Sequence, residues 1–179
     1  GAISVAGPGA SVTNAAENKP KLVLQITVDQ LRGDFPWRYS EQLGVGGFRY
    51  LMEQGTVYRN AHHGHANSET IVGHATLATG ADPAMHGMVG NVWYGRVTNA
   101  LTYNVEDDRY PILSENAGVD KNTEIDPTQA AAKSEGRSPR AILCSTFSDE
   151  LAVASAGKAK IFGVSVKDRG AITLAGHAG

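Results

Sequence analysis

Cysteine is nearly absent from this chain: Cys144 is the only one in 179 residues. That excludes an internal disulfide and a Cys-rich zinc finger, and it leaves the compartment open. An excess of one charge is also lacking. Sixteen lysines and arginines against eighteen acids give a net charge of −2 at neutral pH. The chain therefore has neither the basic face that nucleic acid requires nor a strongly acidic tail. No apolar run approaches the length of a membrane span. The first residues are small and aperiodic, without the basic start and long apolar centre of an intact signal peptide. Residues 1–20 read as a flexible lead-in, of the kind left when a signal is removed. Glycine is plentiful at 21 residues, several placed where a backbone turns or closely approaches something. The remainder, 21–179, has the length of one ordinary domain with a sizeable core.

The richest stretch is 67–80, Asn-Ser-Glu-Thr-Ile-Val-Gly-His-Ala-Thr-Leu-Ala-Thr-Gly. A polar run ends at Thr70, and apolar residues then recur at helical spacing through Ile71, Ala75, Leu77 and Ala78. Thr70 thus falls at or beside the first turn of a helix. Unpaired N–H groups and the positive end of the helix dipole favour an oxyanion there. Two roles fit Thr70 at this point: an ordinary N-cap, or a nucleophile.

Around it the pattern is α/β. Residues 22–28 and 160–166 are short, apolar and β-branched, and read as buried central strands. The first stops at Asp29 and the second at Lys167-Asp168-Arg169-Gly170, which places charged groups at strand ends, where open α/β sheets bind ligands. For Asp29 the alternatives are a metal ligand, a helix N-cap, or a salt bridge to Arg32. Residues 47–54 read as an amphipathic helix with Phe48, Leu51 and Met52 inward and Gly55 as its stop. Residues 56–61 read as a strand. It leads to His62, His63 and His65, which invite a zinc hypothesis although adjacent residues do not readily converge on one ion. Thr79 to Pro83 reads as a turn, followed by a Gly-punctuated loop over 85–91. Residues 92–97 and 100–105 read as strands joined at Thr98-Asn99. Residues 106–137 read as a loop or insertion with little regular structure. Ser138-Pro139-Arg140 reads as a helix start, and 147–156 as a helix stopped by Gly157.

Asp29, Thr70, Asn91, Lys167 and Arg169 together make a chemical set. Arg and Lys bind a tetrahedral oxyanion, one as a fork and the other as a point charge. Asn91 adds a neutral donor. A threonine hydroxyl is a poor nucleophile until a metal coordinates its oxygen, and Asp29 could help hold that metal. The set points to metal-assisted phosphoryl transfer through a phospho-threonine.

The strand ending in Val28-Asp29, the Thr70–Gly80 stretch and Pro83-Ala-Met-His-Gly87 resemble the alkaline phosphatase superfamily. Gly90-Asn91-Val-Trp-Tyr94 and Ser165-Val-Lys-Asp-Arg-Gly-Ala-Ile172 are similar to its single-threonine bacterial alkaline phosphatases, the phosphate-irrepressible and Sphingomonas types. The resemblance covers most of 21–175 outside 106–137. It implies an α/β fold with a central, largely parallel sheet flanked by helices. It also implies an exported, periplasmic or secreted, hydrolase of small-molecule phosphate monoesters. By it Thr70 is the nucleophile, Asp29 a ligand of the zinc that activates Thr70, and Asn91, Lys167 and Arg169 hold the phosphate oxygens. Two zinc ions are implied, with most of their Asp and His ligands in the family's C-terminal half. This chain stops at Gly179, before any such motif, so the resemblance implies an N-terminal portion of a larger enzyme, incomplete at its C-terminus. Other readings are a phosphodiesterase or nucleotide pyrophosphatase, and a non-catalytic fragment binding metal or oxyanion. Cys144 lacks the Cys-x-Pro-x-Arg frame of a sulfatase.

Overall fold

The computed structural model describes residues 20–115, 118, 120 and 122–179. Most of the expected lead-in, residues 1–19, lies outside them. The chain divides into two units, one ending at Leu31 and the other running from Arg32 to Gly179. In the first, residues 22–28 have no regular secondary structure and are followed by a turn at Asp29 and Gln30.

The second unit starts with α1 (Phe35–Arg38), a 3-10 turn (Ser40–Gln42) and α2 (Gly47–Gln54). Next come α3 (Thr70–Thr79) and α4 (Pro83–His86), followed by β1 (Val92–Gly95) and β2 (Ala100–Tyr103). α5 (Pro127–Ala130), α6 (Phe147–Ala154) and α7 (Asp168–Ala175) complete it. α3 is built from small and apolar residues and ends where Gly80 adopts φ +68° and donates its N–H to the Thr76 carbonyl at 2.8 Å. Only glycine takes that left-handed conformation without strain. β1 and β2 form an antiparallel hairpin with Val92 opposite Tyr103 and Gly95 opposite Ala100. Its turn uses Asn99 at φ +53°, a conformation Asn tolerates better than most residues. α6 carries a capping box: the Thr146 hydroxyl accepts from the Asp149 N–H, and the Asp149 carboxylate accepts from the Thr146 N–H.

The core lies under α3. Ile71, Val72 and Ala75 pack with Met88, Tyr103, Val105, Ala132 and Ile142, and Trp93 and Ile172 close its sides. α3 packs on α7, and α6 lies against both. Gly170 permits the approach of α7 to α3. A Cβ there would sit 2.5 Å from Ser165 Oγ and 4.0 Å from His74 Nε2.

Several local expectations need correction. Residues 22–28, 56–61 and 160–166 are not strands, and among the described residues the only sheet is the β1–β2 hairpin. Their apolar side chains stand in the open, Leu24 at 71% and Val164 at 92% exposure. β-branched composition signals a need for burial, whereas a strand also needs a neighbouring backbone to complete its hydrogen bonds. α2 has the expected bounds, yet Phe48 and Leu51 are exposed and only Met52 is half-buried. Ser138-Pro139-Arg140 begins a single turn, closed by the Ile142 N–H on the Pro139 carbonyl, and not a helix. Lys167-Asp168-Arg169-Gly170, expected at a strand end, is instead the start of α7. The segment 106–137 is mostly irregular, as expected, but far from peripheral. It carries α5, buries Asp107, Gln129 and Ala132, and is pinned by an isolated Glu106–Arg137 bridge.

Candidate active site

Thr70 is the first residue of α3, and the residue at the N-cap position is Glu69. Glu69 does not cap the helix with its own side chain. Its Oε2 accepts instead from the Asn91 N–H at 2.6 Å, and Asn91 returns the bond by accepting the Ile71 N–H on Oδ1 at 3.2 Å. A residue twenty positions later thus supplies the helix cap. The Asn91 carbonyl is held by Asn104, whose Nδ2 donates at 2.6 Å. Behind Thr70, His74 donates from Nδ1 to the Thr70 carbonyl at 2.8 Å, which ties the first turn to the buried face of α3. The structure therefore brings Thr70 and Asn91 to one helix start.

Lys167 and Arg169 come together at the start of α7. Lys167 is its N-cap in extended conformation, and Arg169 is the second residue of the helix, at 3% exposure. Both cations reach the same oxygen, Asp126 Oδ2: Lys167 through Nζ, and Arg169 through Nη2 at 2.9 Å. Arg169 Nη1 also donates to the Tyr103 hydroxyl at 3.4 Å and to Thr128 Oγ1 at 3.3 Å. Its Nε is buried and has no hydrogen-bond partner. The Tyr103 hydroxyl donates to Asp168 Oδ1 at 2.6 Å, and Arg137 Nε donates to Asp168 Oδ2. Charges of both signs therefore alternate through this patch.

The electrostatics follow. Burial alone would raise the Asp126 carboxyl, but Lys167, Thr128 and Arg169 outweigh it and hold it well below the ordinary carboxylate range. Burial pushes the Tyr103 phenol far above its usual value, with Asp168 adding to the effect, so Tyr103 stays protonated and donates. Burial by itself would lower Arg169, yet Tyr103 and Asp126 raise it and it remains a cation.

Asp29 belongs to the first unit, in an exposed turn where its Oδ1 accepts from the Gln30 N–H at 3.0 Å. Arg32 forks onto Asp34, at 2.7 and 3.0 Å. His62, His63 and His65 do not gather around a common point for a metal. His62 pairs with Asn60, and both ring nitrogens of His65 are engaged, Nδ1 with the Asn67 carbonyl and Nε2 with Thr76 Oγ1. Among the described residues no three His, Cys, Asp or Glu side chains converge to hold a metal ion.

Sequence reasoning missed Asp126, Tyr103, Asn104 and Glu69. A signal existed for Asp126, since Asp-Pro-Thr is a helix start with Pro at the first position, and Asp126 does cap α5 through the Thr128 N–H. Nothing in the sequence showed that its second oxygen would face Lys167 and Arg169.

Residues 23–149 match the type I phosphodiesterase / nucleotide pyrophosphatase family, in the alkaline phosphatase superfamily. The chain belongs to that family. The match includes Asp29, Thr70 and Asn91 and ends before Lys167 and Arg169. Among curated relatives, alkaline phosphatase PafA of Elizabethkingia meningoseptica is 34% identical over 94% of this chain and 28% of its own length. A calcium-transporting ATPase of Myroides odoratus is 32% identical over 89% of the chain and 26% of its own length. Alkaline phosphatase PhoV of Synechococcus elongatus is 34% identical over the same two shares. The crystal structure of PafA superposes with a TM-score of 0.69 and 31% identity, over 83% of this chain and 26% of that one. The fold class is accordingly the alkaline-phosphatase-like α/β class, of which this chain carries a part. It spans about a quarter of the length of the relatives it matches.

Proposed function

We propose that this chain carries the nucleophile and phosphate-holding residues of a zinc-dependent phosphomonoester hydrolase that works through a phospho-threonine. One observation supports the reading above the others: Lys167 and Arg169 converge on a single anionic oxygen. A side chain oxygen fills that point in this structure, and a phosphoryl oxygen has the same charge and accepts the same donors. Thr70, at the first position of α3, and Asn91, joined to it through Ile71, supply the nucleophile and a neutral donor.

The Thr70 oxygen attacks phosphorus, the bond from phosphorus to the ester oxygen breaks, and the alcohol leaves with the hydroxyl proton. Water then attacks the phospho-threonine, which releases inorganic phosphate and restores Thr70. Lys167 and Arg169 hold the non-bridging oxygens as charge builds on them, and the N–H groups of the first turn of α3 add their dipole. Among the described residues the donors do not make a zinc site, because Asp29 and Thr70 fall short of the four ligands zinc takes. Zinc, when bound, would lower the pKa of the threonine hydroxyl. Its remaining ligands would belong to the part of the enzyme that this chain does not span, and an exported location goes with the same reading.

A second reading follows from the family match, whose description is phosphodiesterase and nucleotide pyrophosphatase. The Lys-x-Arg pair argues against it, because two cations suit the dianionic end of a monoester better than the single charge of a diester. Turnover of an aryl phosphate and of the matching aryl diester, at alkaline pH with and without added zinc, separates the readings. Zinc-dependent preference for the monoester is the expected result, and preference for the diester would select the second reading. In the complete enzyme Thr70→Ala is expected to abolish turnover while leaving the fold intact. Near-wild-type turnover by that variant would sink the mechanism.

A further inference from the structure

The segment 106–137 has no part in the reading above, yet its Asp126 carboxylate fills the point on which Lys167 and Arg169 converge. We propose that Asp126 is a built-in competitor for the phosphoryl group, an internal anion that substrate or inorganic phosphate must displace from the Lys167–Arg169 cradle. The inference rests on the phosphate-holding role given to those two residues.

Four observations favour competition over simple positioning of the arginine. Both cations meet on one oxygen, Oδ2, so a phosphoryl oxygen accepting from both has to take its place. Arg169 does not need Asp126 for orientation, because its other terminal nitrogen is held by Tyr103 and Thr128. Asp126 in turn has separate anchors, since its Oδ1 accepts from the Thr128 N–H at 2.9 Å and the Thr128 hydroxyl at 2.6 Å. Its carboxylate can give up the cations and still cap α5. Finally, Arg169 Nε is buried without an acceptor. A two-oxygen ligand across Nε and Nη2 would satisfy that donor, whereas the carboxylate of Asp126 takes Nη2 alone. The cradle is thus occupied but only partly satisfied.

The competitor sets the affinity of the site. A singly charged carboxylate screens the cradle against weak anions, while a phosphate dianion brings more charge and more acceptor oxygens. The segment 106–137 then acts as a specificity element in place of an inert insertion.

The test is calorimetric titration of inorganic phosphate into the 179-residue chain as wild type, Asp126→Asn, Asp126→Ser and Lys167→Ala. Asn and Ser both keep an oxygen to cap α5, and circular dichroism checks that each variant is folded. Asp126→Asn and Asp126→Ser are expected to bind phosphate about tenfold more tightly than wild type, the scale of removing one charge-assisted contact that opposes binding. Unchanged or weaker binding by both folded variants overturns the competitor, because a positioning carboxylate gives that result. Failure of the underlying reading looks different: Lys167→Ala would then bind phosphate as well as wild type. Absence of measurable binding even in Asp126→Asn also overturns the inference.

Discussion

Arg169 shows what it takes to keep one charged residue inside a small core. At 3% exposure it survives as a cation because Asp126, Tyr103 and Thr128 surround its guanidinium. Tyr103 is central to that arrangement, since its hydroxyl accepts from Arg169 and donates to Asp168. Tyr103→Phe keeps the ring in the core and removes only the hydroxyl, leaving two charged partners short of a bond. The expected loss is about 1.5–3 kcal/mol of unfolding free energy, the range for hydrogen bonds to charged groups. Chemical denaturation measures it as a lower midpoint at constant slope, and an unchanged midpoint would mean that the Tyr103 hydroxyl is energetically idle. At this scale the candidate site was legible where chemistry is written in residue type. Thr70, Asn91, Lys167 and Arg169 were named from the sequence; Thr70 begins α3, Asn91 caps that helix from the loop before β1, and Lys167 and Arg169 stand at the start of α7. Their partners Asp126 and Tyr103 were not, because each acts across more than forty positions and carries no local signature of that contact.

Among the elements, helices were more legible than strands for a physical reason. A helix closes its hydrogen bonds within itself, so α2, α3 and α6 could be read from local spacing to within a residue or two at their ends. The hairpin was legible too, because its partner strands are joined by a turn that Asn99 favours. Residues 22–28 and 160–166 have strand composition but no partner backbone among the described residues, and composition cannot supply one. α7 was missed because Lys-Asp-Arg-Gly reads as a polar loop, while its apolar face appears only further on at Ile172. α6 offers the clearest energetic test at this scale. Thr146 is fully buried and caps the helix reciprocally with Asp149, whose carboxylate also meets His177 Nδ1 at 2.9 Å and the Ala178 N–H. Thr146→Ala removes the cap acceptor and leaves the Asp149 N–H unsatisfied inside the protein. The expected cost is about 1–2 kcal/mol, toward the upper end for cap removal. Thr146→Ser, which keeps the oxygen, should recover most of it. Equal losses for the two variants would assign the effect to the lost methyl group.

For the whole molecule the question is what governs stability near neutral pH, and the best-placed group is His86. It is fully buried, and its Nδ1 accepts the Met88 N–H at 3.1 Å, so the ring must be neutral with its proton on Nε2. Nε2 then donates to Thr76 Oγ1 at 3.1 Å, and the Thr76 hydroxyl donates in turn to His65 Nε2 at 3.0 Å. The chain ends where His65 Nδ1 donates to the Asn67 carbonyl. Burial, followed by His65, pushes the His86 pKa below its ordinary 6.5, with Asp82 opposing from the cap of α4. A histidine depressed in the fold binds fewer protons there than in the unfolded chain. Stability therefore falls as pH drops through 6.5 and goes on falling until the folded-state value is passed. The carboxylates of Asp107, Asp126 and Asp149, held below 3.8, contribute their own losses only in stronger acid, so they do not obscure this window. Thermal unfolding between about pH 7.5 and about pH 5.5, the range in which histidine charge changes, should show a falling midpoint in the wild type. In His86→Gln, which has no titrating ring, the midpoint should start lower and change much less. A wild-type midpoint flat across that range, or an identical slope in His86→Gln, would remove His86 from the explanation and leave the more exposed histidines to account for any acid sensitivity.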